Sequence, residues 1–167
     1  MRAGGLIWWS GKVRRFRAHL GAHVNDSERA SLAAWLSPAQ IGIFDRMTIA
    51  DRRHGLDVVA ALRADGVTDL DLLIAGLLHD AGKGHTGVLP RVAHSLGQAY
   101  GTWITSLVGR LPRMAAPLGR LRGHPELSAR MAEAAGCSSR TVELIRWQED
   151  PRDPEYGEQL RLADEAN

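Results

Sequence analysis

Leu72-Leu73-Ile74, followed by Leu77-Leu78-His79-Asp80-Ala81-Gly82-Lys83-Gly84, is the stretch whose reading decides the fold. An apolar segment opened by Asp69 runs into an adjacent His-Asp pair and breaks at glycine, with a lysine inside the break. Leu70, Leu72, Leu73, Ile74, Leu77 and Leu78 cover most of the circumference of the helix they would form. A helix apolar nearly all round lies at the centre of a fold. Gly82 and Gly84 stop it, so His79 and Asp80 fall at the rim of the core, where a pocket is most naturally built. An imidazole beside a carboxylate can bind a divalent cation, and the ammonium of Lys83 can hold an anion next to it. A His-Asp dipeptide alone arises often by chance. Its weight here comes from His54 upstream and from His124 and Asp164 downstream.

Outward from that segment the pattern stays helical, with no strand-like alternation and no grouping of β-branched residues. The spacing predicts a first helix over about 8–22, with Trp9, Val13, Phe16 and Leu20 on one face. Asn25 with Glu28 reads as a capping box before a short helix carrying Leu32, Trp35 and Leu36. Ser37-Pro38 restarts the chain as N-cap and first helical residue, with Ile41, Phe44 and Met47 facing inward. A helix over 49–64 turns Ile49, Leu56, Val59 and Leu62 to the core and stops at Asp65-Gly66. Between 85 and 122 the spacing of Val92, Leu96, Tyr100, Trp103, Ile104, Leu107, Val108 and Leu111 predicts one long helix after Pro90, ended by Pro112 and Pro117. That segment could serve as an amphipathic arm against a membrane or a partner; packing on the core is the expectation. Pro125 opens a helix closed by Gly136, Ser138 or Ser139 caps another, and a last one runs through Leu160 and Leu162 to Asp164. The fold class read from this is all-α, a single-domain bundle: residues 38–167 as the helical domain, and residues 1–37 as a helical extension packed on it.

The length of 167 residues suits one domain with a real core, and 44% hydrophobic with 24% charged residues is the balance of an ordinary globular protein. Cys137 is the sole cysteine, which excludes an intrachain disulfide and a thiolate zinc cluster. Arginines interrupt every apolar stretch before it reaches the length of a membrane span. Leu6-Ile7-Trp8-Trp9 precedes its basic residues, the wrong order for a signal peptide. A cytoplasmic, reducing location is expected. Lys12, Arg14, Arg15 and Arg17 read as a solvated helix face rather than a nucleic-acid or lipid contact.

Three local sequences carry a family resemblance. Asp51-Arg52-Arg53-His54-Gly55-Leu56-Asp57-Val58, the HDxGK-type run Leu77 to Lys83, and Leu160-Arg161-Leu162-Ala163-Asp164 stand in the order of the metal-ligand segments of the HD-domain superfamily of metal-dependent phosphohydrolases. His124-Pro125-Glu126-Leu127-Ser128-Ala129 is similar to the extra-histidine segment of the subgroup that includes bacterial cyclic-nucleotide phosphodiesterases. The resemblance covers about residues 38–167. It implies an all-helical, HD-domain-like bundle whose ligands converge at one end, and one divalent metal held by His54, His79, Asp80 and Asp164.

Taken singly, His54 is an ordinary helix-surface histidine, His79-Asp80 a helix terminus and Asp164 a solvated carboxylate near the chain end. Taken together, two imidazoles and two carboxylates make a mixed N/O site suited to Mn, Fe, Co, Ni, Zn or Mg, with no soft ligand to force a choice. Asp80 would also orient the nucleophilic water. Lys83, with Arg53 and His85, is expected to contact the substrate phosphate. In two-metal members the extra histidine binds a second ion, helped by histidines on the following helix. Here that helix reads Ile145-Arg146-Trp147-Gln148-Glu149-Asp150, without histidine. A strong second metal site is therefore not expected, and His124 is assigned to water or phosphate as a donor or general acid. Trp147 is a candidate to cap the pocket. The expected activity is hydrolysis of a phosphomonoester or phosphodiester, a nucleotide first. The competing reading is a degenerate HD domain that binds a nucleotide or a partner protein without turnover. A phosphorylated small molecule is the expected partner; nucleic acid and a membrane surface are not, and a homodimer is compatible with the reading.

Overall fold

The apolar segment is the axis of the molecule: all seven residues from Leu72 to Leu78 are buried. The computed structural model describes residues 22–167, which contain ten α-helices, two 3-10 turns and no strand. In chain order these are α1 (Asp26–Ser31), a 3-10 turn (Leu32–Ala34), α2 (Pro38–Arg46), α3 (Ile49–Ala64), α4 (Leu70–Leu78), a second 3-10 turn (Ala81–Lys83), α5 (Val88–Tyr100), α6 (Trp103–Val108), α7 (Ala115–Arg122), α8 (His124–Ala134), α9 (Ser139–Arg146) and α10 (Gly157–Ala166). The helix expected from about residue 8, with the basic cluster it carries, falls on residues 1–21, outside the described residues.

Local chemistry sets the helix starts. Asn25 and Glu28 form a capping box at α1, and Ser37 and Gln40 form another at α2, with Pro38 in the first turn. Thr48, Asp69 and Ser138 each accept a backbone N–H as N-caps of α3, α4 and α9. Packed around α4, Phe44, Val58, Val59, Leu62, Ala129, Ile145 and Leu160 make one core, closed on the N-terminal side by Leu32 and Leu36. Half-buried Cys137 accepts a hydrogen bond from Gln40 Nε2 at 3.3 Å, and burial pushes its thiol pKa up. Two helix ends differ from the pattern. Ile49 and Leu70 are exposed, because each is the first residue of its helix and precedes the turn that meets the core.

The larger correction concerns residues 85–122. The single long helix expected there is three shorter ones. Gly101 takes φ +112°, a conformation side-chain-bearing residues avoid, and breaks the run between α5 and α6. Pro117 ends nothing: it sits in the first turn of α7, where its missing N–H is not needed. Nor does the whole apolar stripe pack on the core. Ala93, Met114 and Leu118 form a small second core with half-buried Val108 against it, whereas Val92, Tyr100, Trp103, Leu107 and Leu111 are exposed. No helix of the described residues is long and apolar enough to cross a membrane.

Candidate metal centre

Two glycines let backbones touch, and the touching places the polar groups. A Cβ on Gly55 would stand 2.5 Å from the carbonyl oxygen of Leu77, so only glycine lets α3 press this closely on the end of α4. His54, its neighbour, is thereby carried to His79, with ring centroids 5.2 Å apart and planes at 69°. A Cβ on Gly82 would meet His124 O at 2.4 Å. The Ala81–Lys83 turn therefore lies flat on the start of α8, tied there by Gly82 N–H donating to Ser128 Oγ at 2.8 Å. That contact brings His124 to Asp80. Helix α10, anchored by buried Leu160 and Ala163, delivers Asp164 from the opposite side.

His54, His79 and Asp164 bring one donor atom each within 4.8 Å of one another, a group that could hold a metal ion. His54 Nε2 lies 2.8 Å from Asp164 Oδ1, and His79 Nε2 lies 3.4 Å from the same oxygen. Asp80 stands against them, Oδ1 at 3.4 Å from His79 Nε2 and Oδ2 at 3.9 Å from His54 Nε2. His124 Nε2 approaches Asp80 Oδ1 to 3.4 Å, and Lys83 Nζ donates to Asp80 Oδ2 at 2.5 Å. His79 and Asp80 are buried, while the Asp164 side chain is 43% exposed, so the cluster opens to solvent on the α10 side.

The donor set fits a cation on a specific ground. His79 Nδ1 donates to Gly76 O at 2.9 Å and His124 Nδ1 donates to Leu121 O at 2.7 Å. A carbonyl only accepts, so in the neutral rings both Nε2 atoms carry lone pairs. Those lone pairs point at carboxylates, which are acceptors too. His79 Nε2 is buried with no hydrogen-bond partner, a costly state unless something positive lies among these atoms. Without a metal that role falls to protons. Burial alone would lower the His79 pKa, but Asp80 and Asp164 outweigh it and hold the ring up to about 9. Burial likewise opposes ionisation of Asp80, yet His79, Lys83 and His124 keep its carboxyl well below the usual range. At Asp164, the hydrogen bond from His54 and the charge of the nearby His79 ring overcome burial in the same direction. Burial opposes the Lys83 ammonium, and Asp80 more than restores it.

The other sequence candidates lie elsewhere. The Arg53 guanidinium is taken by Glu28 at 2.6 Å and Asp57 at 2.9 Å. His85 is exposed and lines an open cavity of about 670 Å³ with Arg46, Thr48 and Arg52. Trp147 donates its indole N–H to Glu143 and lies under the Arg152 guanidinium, 3.2 Å from its ring centre. The neighbouring Gln148 is the residue that reaches inward, donating to His79 O at 3.2 Å. Glu149 and Asp150 are exposed.

Sequence reasoning missed the frame behind these groups. Buried Asp51 accepts two hydrogen bonds from Arg91, at 2.6 and 2.7 Å, and Arg91 also donates to Gly84 O at 3.0 Å. Arg120 Nε donates to Gly82 O at 2.8 Å. Two arginines from the 88–122 segment thus hold the carbonyls on either side of Lys83. The available signal was Asp51, a carboxylate three residues before His54 and so on the same helix face. No family model, curated protein or solved structure matches this chain.

Proposed function

We propose that this protein is a metal-dependent phosphohydrolase acting on a phosphomonoester or phosphodiester, a nucleotide in the first instance. The observation that carries the reading is the buried, unpartnered Nε2 of His79 at the meeting point of His54, Asp80 and Asp164. Those four residues would hold the cation. When bound, a divalent ion supplies Lewis acidity toward phosphate and makes water a competent nucleophile near neutral pH.

The chain's own groups do the rest. Gly76 O and Leu121 O hold the rings of His79 and His124 in one tautomer, so each keeps its Nε2 turned to the cluster. Lys83, fixed on Asp80 and braced through Gly82 O and Gly84 O, offers an ammonium to a phosphate oxygen. His124, next to Asp80 and outside the group of His54, His79 and Asp164, can pass a proton between water and the leaving oxygen. Arg53 is engaged by two carboxylates and drops out of the substrate contacts; His85 and Arg52 can meet a more distant part of the substrate. One observation favours binding without turnover: Lys83 already occupies an oxygen of Asp80, and the helix after His124 brings no further histidine.

The test is the purified protein assayed for bound metal and for hydrolysis of p-nitrophenyl phosphate, its bis-ester and a nucleotide panel, beside Asp80→Ala. Turnover that requires metal and disappears in the variant supports the phosphohydrolase. Turnover surviving in Asp80→Ala overturns it, and metal-replete protein inert on every substrate favours the binding reading.

A further inference from the structure

The segment between Asp80 and Glu126 contains no aspartate or glutamate, while it carries Lys83, Arg91, Arg110, Arg113, Arg120 and Arg122. The whole chain has a formal charge of only +2, so the remainder of the molecule is net negative. Asp80 and Asp51 neutralise Lys83 and Arg91, which leaves Arg110, Arg113, Arg120 and Arg122 as the exposed cations here. On the same segment the structure exposes large apolar side chains. Leu89, Val92 and Tyr100 stand three and eight residues apart, about one and two turns, on one face of α5, and Trp103 and Leu107 follow at i, i+4 on α6. Trp103 is 64% exposed and Leu107 57%. The indole N–H of Trp103 donates to Tyr100 O at 3.1 Å across the Gly101 corner, joining the two helices' exposed aromatics.

From this we infer that the α5–α6 face docks on an anionic lipid bilayer, its apolar side chains entering the headgroup boundary and its arginines meeting lipid phosphates. Exposed leucines beside a tryptophan and a tyrosine, with Arg110 and Arg113 exposed in the turn after α6 and no carboxylate on α5, α6 or that turn, are the composition of an interfacial surface. The charge argues against the other occupants. A second copy packing isologously would set this cationic face against itself. Residues 1–25 also lack any carboxylate and hold Arg2, Lys12, Arg14, Arg15 and Arg17, so that segment offers no acidic group to pair with these arginines. A nucleic acid would use the arginines but has no place for Leu89, Val92 and Leu107. Because Arg91 and Arg120 tie this segment to Gly84 O and Gly82 O, docking would set the candidate centre close to the membrane surface.

The experiment is co-sedimentation of the full chain with vesicles of phosphatidylcholine, with and without phosphatidylglycerol. It requires no turnover, so its outcome is separate from that of the phosphohydrolase assay. Binding is expected on the anionic vesicles, weakening as salt rises, and falling at least about tenfold in Trp103→Glu/Leu107→Glu. Arg110→Glu/Arg113→Glu should weaken it as well, whereas Leu70→Glu, an exposed leucine at the start of α4, should not. Far-UV circular dichroism checks that each variant is folded, and the arginine pair gives the answer if the apolar pair is not. Absence of binding overturns the inference, as does equal binding to neutral vesicles or binding undiminished in both double variants. Concentration-dependent dimerisation lost in Trp103→Glu/Leu107→Glu, or salt-sensitive DNA binding without vesicle binding, would also overturn it and reassign the face.

Discussion

At the candidate centre, polar groups are buried and nearly all answered; in the segment from Val88 to Arg122, large apolar side chains are exposed. His79 and Asp80 sit among leucines and are held by backbone carbonyls, histidines and a lysine. Trp103 and Leu107 stand on the short helix α6, which meets the small core of Ala93, Met114 and Leu118 through Val108. The contrast separates two kinds of constraint. Backbone-to-backbone contact at Gly55 and Gly82 positions the donors, so the centre depends on the whole bundle. The outer segment is tied to that bundle by the hydrogen bonds of Arg91 and Arg120 as well as by buried Leu121, and its outward face is exposed.

The strongest way to break this comparison is activity. Asp80→Ala should lower turnover by at least about a hundredfold, since even outer-shell changes at metal sites cost about 10–100-fold. Trp103→Glu/Leu107→Glu should leave hydrolysis of a soluble substrate unchanged, and initial rates check both. Stability gives the next largest separation. Leu77→Ala, in the packed core, should cost about 2–5 kcal/mol in chemical denaturation, while Leu107→Ala should stay within about 0.5 kcal/mol.

Saturating Mn or Ni, at about a hundred times its Kd, should stabilise the protein by about 2.7 kcal/mol and barely affect Asp80→Ala. The sign with pH follows from His79. Its pKa is raised from 6.5 to about 9, so the proton's stabilisation is complete below 6.5 and lost as pH rises through about 9. The metal-induced rise in Tm should therefore grow across that window, because the cation needs the unprotonated ring. Equal responses at both ends would place the ion elsewhere.

Glycine substitutions sharpen the same contrast. Gly55→Ala forces a Cβ into Leu77 O and should cost about 1–3 kcal/mol, whereas a Cβ on Gly119, in α7, meets nothing within 4 Å. Gly119→Ala should gain up to about 1 kcal/mol from helix propensity. The smallest effect concerns the loop before α10. The Arg140 guanidinium, with backbone N–H groups of Tyr156 and Glu155, lowers the Asp153 pKa from 3.8 to about 2 against the effect of burial. Its stabilisation is present above 3.8 and lost as pH falls through about 2, so Asp153→Asn should flatten the acid limb of the Tm profile there.

Much of the bundle was readable because short-range chemistry dictated it. The capping boxes at Asn25 and Ser37, the limits of α3 and the burial of α4 follow from local hydrogen bonds and apolar periodicity. The outer segment was misread because a helical spacing of apolar residues does not say whether a core exists to receive them, and because Gly101 could be tolerated within a helix or break it. Arg53 and Arg91 illustrate the same limit. Both are arginines near candidate ligands in sequence, yet Glu28 and Asp57 draw one away while Asp51 draws the other in.

The order of residues along this chain sufficed to specify helices, their caps and a central apolar one ending in His79-Asp80, since each depends on neighbours within a few positions. Only the tertiary structure decided that His54 and Asp164, 110 positions apart, share an oxygen-to-nitrogen contact of 2.8 Å, and that Trp103 faces outward. Such distances arise from close approaches between helices, at Gly55 and Gly82 above all, and no local pattern encodes which backbones will meet.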